Sequence, residues 1–330
     1  MNSRCLTEQE IKAQALRLGF VACGVAKAEP VEPLYAQHYL RRIQQGHFAG
    51  MEYMTRHVDM RLNPHLLHPG LQTIVSVALN YMPASRQPAV CLYAQGQDYH
   101  EVMRERLHLL MESLGAHGRC FVDTAPVMER YWAWRSGVGH FCRNGLISVS
   151  GYGPTVFLGE LFLEESVDHY GEPLPSSHPL QQGWQELCPA LTPDGLDARL
   201  CLNYWTIEHR GELPPSIRLT DCLYGCDRCM RACEEFREVR PTSLSSFQPS
   251  PALMAMTEQD WRTLTPEQFR CLFRHSAIKR AKYEGLMRNI SHWYPRQNGT
   301  SDVSADEQSR RASLSLLVEV FPSVLPGDIM

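Results

Sequence analysis

The sequence predicts an α+β protein with a mixed or antiparallel sheet, then a cysteine-rich module and a helical C-terminal segment. Three observations carry this expectation. Through the first 185 residues, amphipathic helical patterns alternate with short β-rich apolar runs. The run LISVSGYGPTVFLGELFLE (146–164) reads as two strands around a glycine-rich turn. Six of the twelve cysteines fall between Cys188 and Cys233, in a region set apart by a proline-rich connection.

In chain order, Thr7 to Leu18 is amphipathic, with Thr7 as cap and Glu10 completing a capping box. FVACGVAKA (20–28) and TIVSVALNYMP (73–83) are strand-like, the second stopped by Pro83. Asp98 to Leu114 is a charged amphipathic helix. CFVDTAP (120–126) is a strand entering a turn, followed by a helix over Glu129–Gly137. Residues 165–200, with PLPSSHP at 173–179, read as a connection, and SSFQPSPAL (245–253) as a second loop. LTPEQFRCLFRHSAIKRAKYEGLMRN (264–289) is helical, with Thr265 and Pro266 as cap and first turn. A polar tail precedes SLLVEVFPSVLP, which is apolar enough to dock. Units at 1–185, 186–245 and 246–330 follow.

Composition excludes several classes. Hydrophobic content of 44% and charged content of 21% are those of an ordinary soluble domain. A net charge of −4 leaves no global basic field for nucleic acid, so such a contact needs a local patch. The N-terminus lacks an apolar signal core, and no run approaches the roughly 18 apolar residues of a membrane span. A cytoplasmic protein with no membrane contact is expected. In a reducing compartment clustered cysteines point to metal or redox chemistry rather than disulfides.

Residue by residue, the readings stay double. CLYGCDRCMRAC (222–233) places Cys222, Cys226, Cys229 and Cys233 in one local ligand run, although Glu234 stands where iron–sulfur runs carry proline. Four thiolates also suit structural zinc. Cys5, Cys23, Cys91, Cys120, Cys142 and Cys271 are scattered and read as small buried hydrophobes. Asp123 either caps the helix that follows or acts as an acid. Glu129 and Arg130 read as a structural ion pair. Arg270, Arg274, Lys279, Arg280, Lys282 and Arg288, against Glu284, form either a phosphate-binding patch or a solvated helix face.

Several segments resemble the epoxyqueuosine reductases, in the same order: GHFAGMEYMTRHVDMR (46–61), HPGLQTIVSVALNYMP (68–83), YAQGQDYHEVMRERL (93–107), FVDTAPVMERYWAWRSGVG (121–139), FLGELF (157–162), CLNYWTIEHRGELPPSI (201–217), YGCDRC (224–229) and FRHSAIKRAKYEGLMRNI (273–290). The resemblance spans roughly residues 7–290. It implies a nitroreductase-like corrinoid-binding catalytic domain, a ferredoxin-like iron–sulfur module and a helical end carrying the basic patch. The implied enzyme uses cobalamin and [4Fe–4S] clusters to reduce an epoxide to an alkene, completing queuosine in the anticodon loop of tRNA. An external electron donor and a monomer are expected. Asp123 of FVDTAP matches the family's proton donor, and burial beside an apolar macrocycle would lift its pKa. The corrinoid would lie against Arg56, Ala94, Asp123, Arg143, Asn144, Leu158 and Gly225. The chain departs from the family where Cys142–Arg143 replaces glycine–lysine and His140 replaces an aromatic residue; His140 is either a structural histidine or a cobalt ligand. The basic residues for tRNA are Arg274, Lys279, Arg280, Lys282 and Arg288.

The family carries two cysteine runs, each giving three ligands to one cluster and a fourth to the other. Here the second run is Cys201, Cys226 and Cys229 with Cys233, whereas the first keeps only Cys188, before Pro189. The resemblance therefore implies one [4Fe–4S] cluster, held by Cys188, Cys201, Cys226 and Cys229, with Cys233 orphaned. The rival functional class is a corrinoid-binding reductase or cobalamin-handling protein that acts on something other than tRNA. A non-catalytic zinc protein that binds RNA is a third.

Overall fold

The structure is a computed structural model that describes residues 6–142, 144–175, 188–192 and 195–294. Arg143, Cys5, residues 176–187 and the apolar C-terminal tail lie outside the described residues.

A four-stranded sheet organises the first half. Its strands are β1 (Ala22–Lys27), β2 (Thr73–Asn80), β3 (Gly118–Phe121) and β6 (Val156–Leu163), in the order β1-β2-β6-β3 and antiparallel throughout. β2 is buried at all eight positions, which is why TIVSVALN lacks the alternation of a half-exposed strand. One face packs on α1 (Glu8–Arg17) and α4 (Tyr99–Leu114), where Val75, Val77 and Leu161 meet Met103, Leu107 and Leu110. The other face carries α5 (Glu129–Arg135), with Tyr131 and Trp132 against Ile74 and Phe162. At the helix starts, Thr7 Oγ1 accepts from the Glu10 amide at 3.1 Å, and Asp98 Oδ1 accepts from the His100 amide at 3.1 Å.

Two expectations need correcting. The two strands read in 146–164 exist but do not pair with each other. β5 (Ile147–Ser148) pairs with β4 (His140–Phe141), while β6 takes β2 and β3 as neighbours. The 264–289 stretch is not one helix either. α9 (Pro266–Phe273) ends before Ser276, whose hydroxyl caps a 3-10 turn at Ala277–Ala281. Lys282, at φ 59°, then turns the chain into α10 (Lys282–Trp293).

A second core joins these helices to the cysteine region. Leu223 and Tyr224 pack with Trp261, Phe273, Ile278 and Leu286, and a parallel bridge links Tyr224 to Val90. Among the described residues no helix is long and apolar enough to cross a membrane.

Candidate active site

A cleft of about 1800 Å³ opens beside the C-terminal part of β3 and the start of α5. Asp123 stands in it, in the loop after β3, with a left-handed backbone (φ 51°) that an L-residue rarely adopts. The turn is tied by Glu129 Oε1, which accepts the Asp123 amide at 2.5 Å. The Asp123 side chain is 60% exposed, toward the open cleft. Its Oδ2 accepts from the Tyr99 hydroxyl at 2.5 Å, and His100 Nε2 lies 3.7 Å away. His100 Nδ1 in turn sits 2.7 Å from Asp98 Oδ1, and Lys279 Nζ lies 2.6 Å from Asp98 Oδ2.

This line of alternating charge sets the protonation states. Burial alone would lower the His100 pKa, but its bonds to Asp123 and Asp98 outweigh that and push it up to about 9. Burial would raise Asp123, yet the hydrogen bonds from His100 and Tyr99 hold it below the ordinary carboxylate value. In the open cleft those hydrogen bonds set Asp123, whereas the expected lift concerns burial beside a macrocycle. Glu129 also differs from expectation. It forms no ion pair with Arg130, whose guanidinium donates to Gly145 O at 2.9 Å. Instead the Glu129 carboxyl faces that of buried Glu160, and burial drives it up to about 8.

The dispersed cysteines converge on the same cleft. Cys188, Cys201, Cys226 and Cys229 all line it. Cys188 and Cys229 are hydrogen-bonded to each other, and Cys201 and Cys226 both lie near enough to raise Cys229 further. In that contact the Cys188 thiol is drawn down to about 6 by Cys229. Local structure explains the convergence. Cys201 follows the 3-10 turn Ala198–Leu200 and precedes a π-helical turn at Tyr204–Glu208. Cys226 and Cys229 flank the start of α6 (Arg228–Arg231). Four thiols so placed are a donor set for a cubane cluster rather than a single tetrahedral ion, since among the described residues no three of them bring their sulfurs within 4.8 Å of one another.

The other two cysteines of the local run point elsewhere. Cys222 is buried in the second core, beside Asp221. Asp221, Cys222 and Asp227 bring ligand atoms within 4.8 Å of one another, but Asp221 is held by Arg231 and by the Asp227 amide, and Asp227 Oδ2 accepts from the Leu92 amide at 3.0 Å. Cys233 is hydrogen-bonded to Cys142, and its Sγ accepts from Asn144 Nδ2 at 3.4 Å.

Of the remaining expected residues, Arg56, Asn144 and Leu158 line the cleft, Arg56 paired with Glu52 at 2.5 Å. Ala94 is buried in the 3-10 turn Leu92–Ala94. Gly225 lies behind Cys226 at φ 81°, where an added Cβ would come within 2.0 Å of Cys91 Sγ. His140 is engaged by Glu235 at 3.0 Å. Lys279 and Arg280 line the cleft, and Arg280 forks onto Glu208 at 3.0 and 2.8 Å. Arg274 and Lys282 are exposed. Arg288 is committed internally: it donates to the carbonyls of Trp205, His209 and Gly211 and clamps α10 to the π-helical turn. Tyr99, His100 and Glu160 were not singled out from sequence. The adjacent Asp-Tyr-His at a helix cap, and a glutamate inside an apolar strand, were the available signals.

Residues 61–124 match the family model described as epoxyqueuosine reductase QueG, DUF1730. An epoxyqueuosine reductase of Cellulophaga algicola is 34% identical over 304 residues, covering 88% of this chain and 99% of that one. The Escherichia coli enzyme of the same name is 33% identical over 311 residues, 86% of this chain and 79% of that protein. The fold is that of an epoxyqueuosine reductase crystallised with an epoxyqueuosine-modified tRNA stem loop (TM-score 0.78, 23% identity, 87% of this chain and 80% of that one). The enzyme from Streptococcus thermophilus is similar, at TM-score 0.77 and 24% identity over 94% of this chain and 84% of that one. With relatives this similar along nearly their whole length, the chain belongs to the epoxyqueuosine reductase family.

Proposed function

We propose that the chain reduces epoxyqueuosine to queuosine in tRNA, using cobalamin and one [4Fe–4S] cluster. The observation that carries this reading is a single cleft lined at once by the Asp123 constellation, four converging thiols and the cations Lys279 and Arg280. At about 1800 Å³ it exceeds the roughly 300–1,000 Å³ of drug-sized sites and has room for a corrinoid. Arg56, Asn144 and Leu158 would hold the macrocycle, with Ala94 and Gly225 shaping the backbone behind it. Cys188, Cys201, Cys226 and Cys229 would hold the cluster. When bound, these groups supply a low-valent nucleophilic metal and single electrons from an external donor.

The protein's own part is orientation and proton supply. Tyr99 and His100 fix Asp123 Oδ2 at the cleft, and Asp123 hands a proton to the departing epoxide oxygen. Substrate that displaces water from this exposed carboxylate raises its pKa toward the working range. Arg280, Lys279, Arg274 and Lys282 offer the positive edge that meets phosphates; Arg288 supports that edge from behind.

Anaerobic reconstitution with iron, sulfide and cobalamin, then incubation with epoxyqueuosine-containing tRNA, tests the reading. Queuosine should appear in digested tRNA, with about four irons per chain for one [4Fe–4S] cluster. About eight irons would refute the single cluster, and reduced corrinoid with no queuosine would refute the substrate. Asp123→Asn should retain corrinoid and lose turnover.

A further inference from the structure

Glu160 interrupts an otherwise apolar β6 and is fully buried. Its ladder partners are Ser76 and Phe121, and neither Oε1 nor Oε2 meets a hydrogen-bond donor. An ionised carboxylate there would lose its hydration with nothing in exchange, a cost of several kcal/mol. The group that faces it at hydrogen-bonding range is the carboxyl of Glu129. Two carboxyls can bond to each other only with a proton between them. Glu129 in turn lines the cleft and accepts the Asp123 amide, so three carboxyls run from the dry interior to the cleft.

Other charges nearby are engaged elsewhere. Arg130 bonds Gly145 O, Arg119 on β3 bonds Leu67 O, and Arg135 on α5 pairs with Glu32. β2 contributes no charged group, only the unpartnered Ser76 hydroxyl. His100 acts on the Asp123 end.

We propose that Glu129 and Glu160 are a proton store for the reduction, held behind Asp123 and acting through it. Burial raises both glutamates, Glu129 to about 8 and Glu160 well above the usual carboxylate range, so at neutral pH the pair carries two protons. The stoichiometry of the proposed reaction, on which this inference rests, calls for that number. Turning an epoxide into an alkene breaks both C–O bonds, forms one C=C bond, consumes two electrons and two protons, and releases water. The external donor supplies the electrons. Glu129 protonates the Asp123 carboxylate, which passes that proton to the oxygen; Glu160 refills Glu129, and the second proton follows the same route to complete the water that leaves.

Glu160→Gln and Glu129→Gln are near-isosteric and test the store in two ways. Infrared spectra of the purified chain at pH 7 should show a protonated-carboxyl C=O absorption band that weakens by one component in Glu160→Gln and by one in Glu129→Gln, and is retained in Asp123→Asn. In the reconstituted enzyme, single-turnover reduction by Glu160→Gln should fall about tenfold at pH 8 and approach wild type at pH 6, below the 10²–10⁴-fold effect of losing a direct acid. An active wild type without the band would sink this inference alone, as would a Glu160→Gln rate matching wild type from pH 6 to 9. A wild type that carries the band yet turns over no epoxide would sink the functional reading and the supply role together.

Discussion

Replacing His100 with glutamine removes the cation between Asp98 and Asp123, and its cost to stability should depend on pH. The imidazole is raised from 6.5 to about 9 because its bonds to the two carboxylates outweigh its burial. At about 1.36 kcal/mol per pH unit, that displacement corresponds to roughly 3 kcal/mol. The ring is 27% exposed on an open cleft, so screening reduces the expected value to about 1–2 kcal/mol. A group whose folded pKa is raised contributes fully below its unfolded pKa and loses that contribution as pH rises through the folded one. The His100 contribution is therefore complete below about pH 6.5 and vanishes above about pH 9. Asp98 and Asp123 are depressed, so their contribution is present above about 3.8 and fades as pH falls further. Urea unfolding of wild type and His100→Gln should thus differ by about 1–2 kcal/mol at pH 6 and by a few tenths at pH 10. Equal losses at both pH values, or a larger one at pH 10, would refute the charge relay and leave His100 a packing residue.

Three further outcomes follow from the site. Cys201→Ser should drop reconstituted iron from about four per chain to near zero, while Cys222→Ser and Cys233→Ala keep it, read by iron assay and the cluster's visible absorption. Gly225→Ala places a methyl against Cys91 Sγ at a positive φ and should cost at least about 1–3 kcal/mol in urea unfolding together with lowered iron retention; unchanged stability would contradict the packing. Arg280→Ala should weaken tRNA stem-loop binding and reduce the slope of log affinity against log salt by about one, whereas an unchanged slope would remove Arg280 from phosphate contact.

What the sequence made legible was local. The Thr7 cap beside Glu10, the Thr265 cap with Pro266 in the first turn, and the apolar period of α4 each depend on neighbours at most four residues away, and each forms. Strand pairing does not work that way. The 146–164 run contains two strands, but β6 finds β2 and β3, and no period-2 pattern names a partner that far along the chain. The helical stretch at 264–289 breaks because Ser276 caps a new turn before Lys282 takes a positive φ, a detail that averaged periodicity hides. The site divides in the same manner. Spacing alone favoured the local thiol run 222–233 as readily as the dispersed one, and only the resemblance favoured Cys188 and Cys201. Asp98 was legible as the start of a helix and not as the anchor of His100 and Lys279, because Lys279 arrives from the other end of the chain. Glu160 was visible as a charge in an apolar strand, yet it has no chemical meaning until α5 lays Glu129 against it.

Cys142 and Cys233 bear on how many clusters the chain can hold. One is a departure from the family pattern and the other a thiol without the rest of its ligand run, and the fold makes them a single contact. Cys142 is buried against Cys233, while Asn144 Nδ2 reaches both Cys233 Sγ, at 3.4 Å, and Cys229 O, at 3.0 Å. A cluster ligand is a thiolate facing a metal. Cys233 instead faces a thiol, an amide and the Cys229 carbonyl at 3.6 Å, with His140 and Glu235 paired close by. Binding a second cluster would require Cys233 to release these partners and recruit three more donors. The thiol beside it, Cys142, could be one of them at most. The same contact gives Cys142 a physical reason: where the resemblance expects glycine, a small polarizable side chain fills the space beside the Cys233 thiol. Under the proposed function, the four-thiol set on the cleft is then the one through which electrons would pass.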